Sequence, residues 1–204
     1  MDEQGRWSPF VPPRRLDGDC LAGLEQEVRG SLNDADAKAR GTGNRMVMIG
    51  ILPTLQESDM NESVLSANAR YRVINEQIFA ARGEDMRITI EGPERLVTHA
   101  DSITPEAACT SVQLHVQVSP ESFAHYWNAA QAIAGVQVAL AANSPFLFGR
   151  RLWQETRITL FEQATDTRPV ELQQQGVRPR VWFGERWITS VFDLFEENLR
   201  YFPA

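Results

Sequence analysis

The sequence has few of the residues on which secreted, membrane and nucleic-acid-binding proteins depend. Its two cysteines, Cys20 and Cys109, lie far apart and outside any Cys-x-x-Cys pair, so a disulfide scaffold is excluded and we expect free thiols in a reducing cytoplasm. No apolar run reaches the roughly 18 residues of a membrane span. The formal net charge of −7 argues against a sequence-independent nucleic-acid binder. We therefore expect a cytoplasmic protein with no nucleic-acid and no membrane partner.

Lysine is almost absent. The 20 basic residues are nineteen arginines and Lys38. Codon bias in a GC-rich genome would produce this imbalance. A chemical cause would produce it too, because arginine binds carboxylates and phosphates through two parallel hydrogen bonds and lysine does not. Composition is consistent with both explanations.

Motifs of the common catalytic classes are also missing. The sequence has no glycine-rich phosphate loop, no His-Glu-x-x-His and no Gly-x-Ser-x-Gly motif, and its histidines and cysteines lack metal-ligand spacing. Function must therefore be sought in less specific patterns.

What the sequence does contain is the composition of an ordinary globular protein, with 43% hydrophobic residues in 204. Apolar periodicity predicts helices over residues 16–41, 64–81, 119–143 and 188–202. Strand character is found over residues 46–52, 87–91 and 111–118. This order indicates an α+β domain with an antiparallel or mixed sheet.

Two of these segments are expected to form the core. Residues 46–52 are an unbroken apolar run closed by Pro53, which is typical of a buried strand. The helix over 119–143 is apolar all round and should therefore be central. Residues 92–108 and 169–187 are predicted to be mostly irregular.

The strand predicted over 111–118 has one polar face. Gln113, His115 and Gln117 alternate with apolar residues and so point to the same side. Such a row could hold a polar ligand, or it could be a solvated face, which is common in antiparallel sheets. The absence of Lys, Glu and Arg from this face leaves both interpretations open.

An arginine-rich segment follows the long helix, between Asn143 and Arg168. Within it Arg157 lies among apolar residues, including Trp153 and Leu160, and is expected to be partly buried. A buried arginine needs an acid or an anion as its partner. Arg157 is therefore a candidate for holding an anionic group.

These segments together resemble the carboxylate-amine ligase family, the group related to bacterial and plant glutamate–cysteine ligases, and in particular its actinobacterial branch. The resemblance extends from about Val11 to the end. It is carried by Cys109–Val118, by Ala142–Phe146 with Gly149 and Arg157, by Asp166–Arg168, and by residues 12–16, 75–84 and 180–187.

The resemblance implies a glutamine-synthetase-like fold, in which helices pack an antiparallel sheet that holds ATP, Mg²⁺ and an amino-acid substrate. It implies that ATP phosphorylates the side-chain carboxylate of L-glutamate. An amine such as L-cysteine then displaces phosphate from the acyl phosphate and forms a γ-glutamyl amide, as in glutathione biosynthesis.

The resemblance also implies site residues. Arg157 corresponds to the catalytic arginine after the Asn-Ser-Pro-Phe turn, and His115 is the implied metal ligand. The residues implied to bind substrate or nucleotide are Gln113, His115, Gln117, Asn143, Arg157, Asp166 and Arg168.

Two departures from the family pattern set the final expectation. Gln113 replaces the first histidine of a His-x-His signature, and no counterpart of the family's metal-binding Glu-x-Glu strand is present. We expect an irregular lead-in over 1–10 and, over 11–204, a single domain that is the central part of a ligase catalytic domain. It should be inactive alone and able to form a homo-oligomer through an unpaired sheet edge.

Two alternatives remain. One is a non-catalytic binding or interaction module derived from the ligase fold. The other is a purely structural domain, which would require Arg157 to pair with an internal acid without an open cleft beside it.

Overall fold

The computed structural model describes residues 12–61, 63, 65 and 69–201. The chain divides into two units, residues 1–48 and 49–204. The first unit contains helix α1 (Cys20–Gly41), as the periodicity predicts, and no residue of α1 is buried. Two ion pairs at i, i+4 spacing lie along it, Glu25–Arg29 and Asp36–Arg40, each with a closest distance of 2.7 Å.

The second unit contains the remaining elements. A short 3-10 helix at Glu57–Asp59 comes first. The helices that follow are α2 (Ala69–Arg82), α3 (Thr104–Ala107), α4 (Phe123–Ala141), α5 (Thr156–Ala164), α6 (Val170–Gln174) and α7 (Phe192–Tyr201). The strands are β1 (Met86–Glu91), β2 (Arg95–Ala100), β3 (Phe146–Leu147) and β4 (Arg150–Arg151).

Strands β1 and β2 form an antiparallel hairpin whose register runs from Met86 opposite Ala100 to Glu91 opposite Arg95. Strand β1 is confirmed where the alternation predicts it. The prediction that residues 92–108 are irregular is wrong, because they contain β2 and α3. The alternation of buried Leu96 and Thr98 behind the Gly-Pro turn is the strand signal that was missed.

The apolar core lies between this hairpin and helix α5. Inward-facing residues of β1 and β2 meet Leu160 of α5, Leu147 of β3 and residues from the adjoining loops. The cluster comprises Ile51, Ile88, Ile90, Leu96, Leu147, Leu152 and Leu160. The hairpin and α5 therefore supply most of this cluster.

The segment 46–52 forms no strand, so the prediction of a buried strand is wrong. Val47 is 74% exposed, and only Gly50 and Ile51 are buried. The backbone of Gly50 is tied to loops, since its N–H donates to the Asn143 carbonyl at 2.9 Å. An apolar run does not become a buried strand without a sheet on which to pack.

Helix α4 is confirmed, but its central place in the core is wrong. Of its residues only Ala124 is buried, whereas Leu140 is 84% exposed. Alanine-rich sequence forms helix by intrinsic propensity, without a packing face. The Asn128 side chain anchors the helix near its start. Its Oδ1 accepts a hydrogen bond from the Ile188 N–H at 3.0 Å, and its Nδ2 donates to the Ile188 carbonyl at 2.8 Å.

The remaining predictions are met in part. Helix α7 lies within the predicted 188–202, and α6 interrupts the predicted loop over 169–187. Helix α2 begins at Ala69, and residues 64 and 66–68 of the predicted helix lie outside the described residues, as does the lead-in over 1–10. Helices with two small antiparallel sheets make the fold α+β.

No helix of the described residues combines the length and the apolar character needed to cross a membrane.

A matched pair of leucine substitutions tests where the core lies. Leu160→Ala is expected to lower the free energy of unfolding by about 2–5 kcal/mol, because it leaves a cavity among fully buried side chains. Leu140→Ala on α4 should change it by less than about 0.5 kcal/mol. Urea denaturation measures both, and a larger loss for Leu140→Ala would contradict this core.

Candidate functional site

Arg157 lies at the start of α5 and is bound on three sides. Its Nε and Nη2 donate to the two carboxylate oxygens of Glu155, at 2.6 and 2.5 Å. Its Nη1 donates to the Thr110 carbonyl at 2.7 Å. The guanidinium is thus held in a bidentate fork that lysine could not replace.

Glu155 organises the loop that precedes α5. It is 8% exposed, and Ser144 Oγ donates to its Oε1 at 2.6 Å. The Ser144 N–H donates to the Gln154 carbonyl, and the Thr156 N–H donates back to the Ser144 carbonyl. A negative charge at the start of a helix is favourable, and it offsets the unfavourable position of Arg157 in the first turn.

Protonation of this pair is shifted toward the charged forms. Burial acts to raise the pKa of Glu155, but hydrogen bonds from Arg157 and Ser144 outweigh it and hold that pKa below its ordinary value. The hydrogen bond to Glu155 raises the pKa of Arg157. Both groups are therefore ionised at neutral pH and neutralise each other.

Gly50 allows the Arg157 guanidinium to approach the backbone. A Cβ at Gly50 would lie 2.7 Å from Arg157 Nε and 2.9 Å from the Asn143 carbonyl oxygen. The Gly50 carbonyl accepts the Thr110 N–H at 2.8 Å. Glycine is required here by close approach, a constraint that the sequence alone did not reveal.

A second acid–arginine pair of the same spacing follows α5. Arg168 binds both carboxylate oxygens of Asp166, with Nη2 to Oδ2 at 2.6 Å, and its Nη1 also donates to the Val177 carbonyl. The Asp166 carbonyl accepts a hydrogen bond from buried Arg82 at 3.0 Å. Asp166 and Arg168 are therefore brought together as an internal ion pair.

The polar row predicted at 111–118 is present only in part. Gln113 Oε1 and His115 Nε2 lie 3.2 Å apart, and both side chains are exposed, as is Gln117. No strand forms there, so the predicted half-buried strand is wrong. The usual partner of an alternating segment is another strand, and none pairs with it within the described residues.

Six of the seven candidate residues thus fall into three groups, and the seventh, Gln117, is an exposed residue of the same segment as His115. Arg157 and Asn143 meet at Glu155, whose carboxylate accepts the Asn143 N–H. Asp166 pairs with Arg168, and Gln113 lies beside His115. Thr110 connects the first group to the third along the chain, since its carbonyl is bound by Arg157.

The described residues do not fit a magnesium ion at His115. Mg²⁺ takes an octahedral set of oxygen ligands, usually including carboxylates. No group of three or more His, Cys, Asp and Glu side chains that could hold a metal occurs in the described part of the chain. The near neighbour of His115 is the neutral amide of Gln113.

Three carboxylates that could have replaced the missing ligands pair with arginines four residues away in the sequence. Glu25 pairs with Arg29 on α1, Glu76 lies 3.9 Å from Arg72 on α2, and Glu91 pairs with Arg95 across the hairpin turn. Within the second unit, Glu76 and Glu91 thus pair with arginines and not with His115.

Cys109 has no nucleophilic character. Both cysteines are free thiols, as expected. Burial, together with the negative charge of Glu106, raises the pKa of Cys109 to about 12. The thiolate that nucleophilic chemistry needs is therefore not formed at neutral pH.

Sequence reasoning missed a cavity of about 580 Å³ between α4, α7 and the loop before α7. Its walls include Trp127, Trp182 and Phe183, and the Arg178 guanidinium lies 5.0 Å from the centre of the Trp182 ring. Arg178 also forms an ion pair with Glu185. The signal in the sequence was the concentration of tryptophan and arginine over 178–187.

Comparison with known proteins gives one family. The family model described as Glutamate-cysteine ligase family 2 (GCS2) matches residues 12–184. The matched range includes all three groups of candidate residues. No curated protein and no solved structure matches the chain.

Two glycine substitutions test the close approach at Gly50. Gly50→Ala should lower the free energy of unfolding by about 1–3 kcal/mol, because the new methyl group overlaps the Arg157 guanidinium. Gly135→Ala, in the middle of α4 with open space around it, should raise it by about 0.5–1 kcal/mol. Urea denaturation measures the free energy of unfolding of both variants. Equal changes in the two would contradict the close approach of Arg157 to Gly50.

The charge of Glu155 can be tested by pH. Glu155→Gln should lower the free energy of unfolding by about 1–3 kcal/mol at pH 7, because Arg157 loses a charged acceptor. The folded pKa of Glu155 lies below the ordinary 4.5, so its contribution is complete above about pH 5 and is lost as the pH falls through the folded pKa.

The stability gap between wild type and Glu155→Gln should therefore narrow below about pH 4.5. Glu162→Gln, an exposed change on the same helix, is the control and should show little gap at any pH. A Glu155→Gln gap that stays constant from pH 7 to pH 3.5 would contradict the ion pair.

Proposed function

The chain belongs to glutamate–cysteine ligase family 2, and from this membership we propose that it is a module of an ATP-dependent carboxylate-amine ligase. Family membership supports a ligase-like function in general. The finer proposal is that the ligase acts on L-glutamate and an amine such as L-cysteine. Residues 11–204 would then be the central part of its catalytic domain, acting in the cytoplasm.

The proposed reaction is the formation of a γ-glutamyl amide. The γ-carboxylate of L-glutamate is activated as an acyl phosphate by ATP, and the amine nitrogen attacks the acyl carbon as phosphate leaves. Such chemistry depends on positive charge placed around the transferred phosphoryl group. ATP and Mg²⁺ are the cofactors that family membership supports for this class.

We assign this chain no turnover of its own. The observation that carries this is the lack of a carboxylate cluster in the described residues, which leaves His115 beside a neutral amide. Without a metal clamp, phosphoryl transfer loses most of its electrostatic stabilisation. We therefore assign His115 no catalytic step as a metal ligand.

The role assigned to Arg157 follows from its contacts. Its guanidinium is neutralised by Glu155 and bound to the Thr110 carbonyl, so it fixes the start of α5 against the segment after Thr110. An anion would have to compete with Glu155 for the same fork. In this chain Arg157 is thus a positioning residue for the 111–118 segment.

The second candidate function is a non-catalytic binding module derived from the ligase fold. It is favoured by the lack of a carboxylate cluster in the described residues, which leaves the Gln113–His115 pair without metal ligands. The internal pairing of Arg157 with Glu155 and of Arg168 with Asp166 meets one requirement of the structural alternative instead, because these acids occupy the positions that a ligand carboxylate or phosphate would take. A binding module would keep the fold and bind ligand without turnover.

ADP release tests the proposal. The purified chain is incubated with Mg-ATP, L-glutamate and L-cysteine, and no glutamate-dependent ADP release above a no-enzyme control is expected. Arg157→Ala is assayed beside it, with Arg150→Ala, an exposed arginine paired to Glu94, as the matched control.

Glutamate-dependent turnover that Arg157→Ala abolishes and Arg150→Ala retains would overturn the assignment of inactivity. Calorimetric titration of the folded chain with L-glutamate and with ATP then separates the candidates. Binding of either without turnover supports the binding module, and binding of neither supports a ligase domain that needs further carboxylates.

A further inference from the structure

Strand β1 is bound along its outer edge by a side chain of helix α5. The Thr89 N–H donates to Gln163 Oε1 at 2.8 Å, and Gln163 Nε2 donates to the Thr89 carbonyl at 2.9 Å. An amide side chain offers an acceptor and a donor, so it can bind both backbone groups of one residue as a neighbouring strand would. Gln163 therefore takes the place of a strand at the edge of β1 that faces away from β2.

The same edge is bound a second time, two residues further along β1. The Trp153 indole N–H donates to the Glu91 carbonyl at 2.5 Å. Trp153 comes just before α5 and Gln163 lies in its last turn, so α5 runs antiparallel to β1. The edge of β1 is thus attached to both ends of one helical segment.

Each attachment lies next to one of the two acid–arginine pairs. Trp153 precedes Glu155 by two residues, and its carbonyl accepts the Thr156 hydroxyl at 3.1 Å. Gln163 precedes Asp166 by three residues, and its carbonyl accepts the Asp166 N–H at 3.3 Å. Both pairs therefore begin directly beyond the points at which the segment is attached to β1.

The apolar contact between α5 and the hairpin does not set this position by itself. Ile88, Ile90 and Leu160 are fully buried in the cluster that joins the two elements. Hydrophobic burial is non-directional, so it holds the helix on the hairpin but discriminates weakly between positions along it. The hydrogen bonds to Thr89 and Glu91 are directional, and they therefore fix where α5 lies along β1.

We propose that Trp153 and Gln163 are positioning residues of the candidate site. Trp153 places the Glu155–Arg157 pair and Gln163 places the Asp166–Arg168 pair, with β1 as their common support. The proposal rests on the proposed function in so far as the two pairs are parts of a ligand site. Because the attachments are separate, each pair is held in place without the other.

Proton exchange at the two arginine side chains tests the proposal. The Nε–H groups of Arg157 and Arg168 donate to carboxylates at 2.6 and 2.9 Å, so their exchange with water reports the local opening of each pair. ¹H–¹⁵N spectra of the ¹⁵N-labelled chain at pH 7 follow both groups. Spectra of Arg157→Lys and Arg168→Lys assign the two signals.

The two attachments should fail separately. Gln163→Leu should speed exchange at Arg168 by about tenfold or more and leave exchange at Arg157 within about twofold, because it releases only one end of α5. Trp153→Phe should do the reverse, because it removes the indole N–H and keeps an aromatic ring. In Gln163→Leu the Thr89 amide should also lose protection against exchange.

A second variant covers the case in which Gln163→Leu does not fold. Gln163→Glu keeps the length of the side chain but sets a carboxylate oxygen against the Thr89 carbonyl, so it should also speed exchange at Arg168. Gln137→Leu on α4 and Trp187→Phe before α7, both at exposed positions, are the matched controls and should change neither arginine.

A purely structural role would lower the stability of the whole unit and speed exchange at both arginines equally. That result would overturn the proposal. Unchanged exchange at both arginines would overturn it too, as would the opposite pairing of variant and arginine. The measurement needs no ATP and no L-glutamate, so the proposal can fail while the outcome of the ADP-release assay stands, and the reverse.

Discussion

The ion pair between Glu155 and Arg157 is the contact on which the candidate site depends. It joins the start of α5 to the Ser144 turn through the Glu155 carboxylate, and to the segment after Thr110 through Arg157 Nη1. Gly50 leaves the space that the guanidinium occupies. Loops that are distant in sequence are thus held together by one buried carboxylate and one fork of donors.

The same arrangement occurs again at the other end of α5, where Asp166 binds Arg168. In both pairs the acid comes two residues before the arginine, and both acid side chains are about nine-tenths buried. Here the arginines connect elements of the fold through bidentate and backbone contacts that a lysine ammonium could not reproduce. Arg157 and Arg168 thus have a chemical reason to be arginine. Codon bias, by contrast, would act equally on the exposed arginines.

Local patterns predicted local elements well. Strand β1 and helices α1 and α7 lie where periodicity placed them, and the family resemblance is confirmed by the match over residues 12–184. Burial was predicted poorly, because it depends on what lies opposite each segment. The apolar run at 46–52 buries only Gly50 and Ile51, and helix α4 buries only Ala124. The sequence predicted that Arg157 would need an acid or an anion as its partner. It did not identify Glu155 as that partner, because a spacing of two residues does not show that the two side chains meet.

A double-mutant cycle on Glu155→Gln and Arg157→Met tests the central claim most directly. The account predicts a coupling energy of about 1–3 kcal/mol at pH 7, since each substitution removes the same bidentate contact. A coupling energy near zero, with additive single effects, would show that Arg157 is not held by Glu155. The arginine would then be available to an anionic ligand, and the positioning role assigned to it would be wrong.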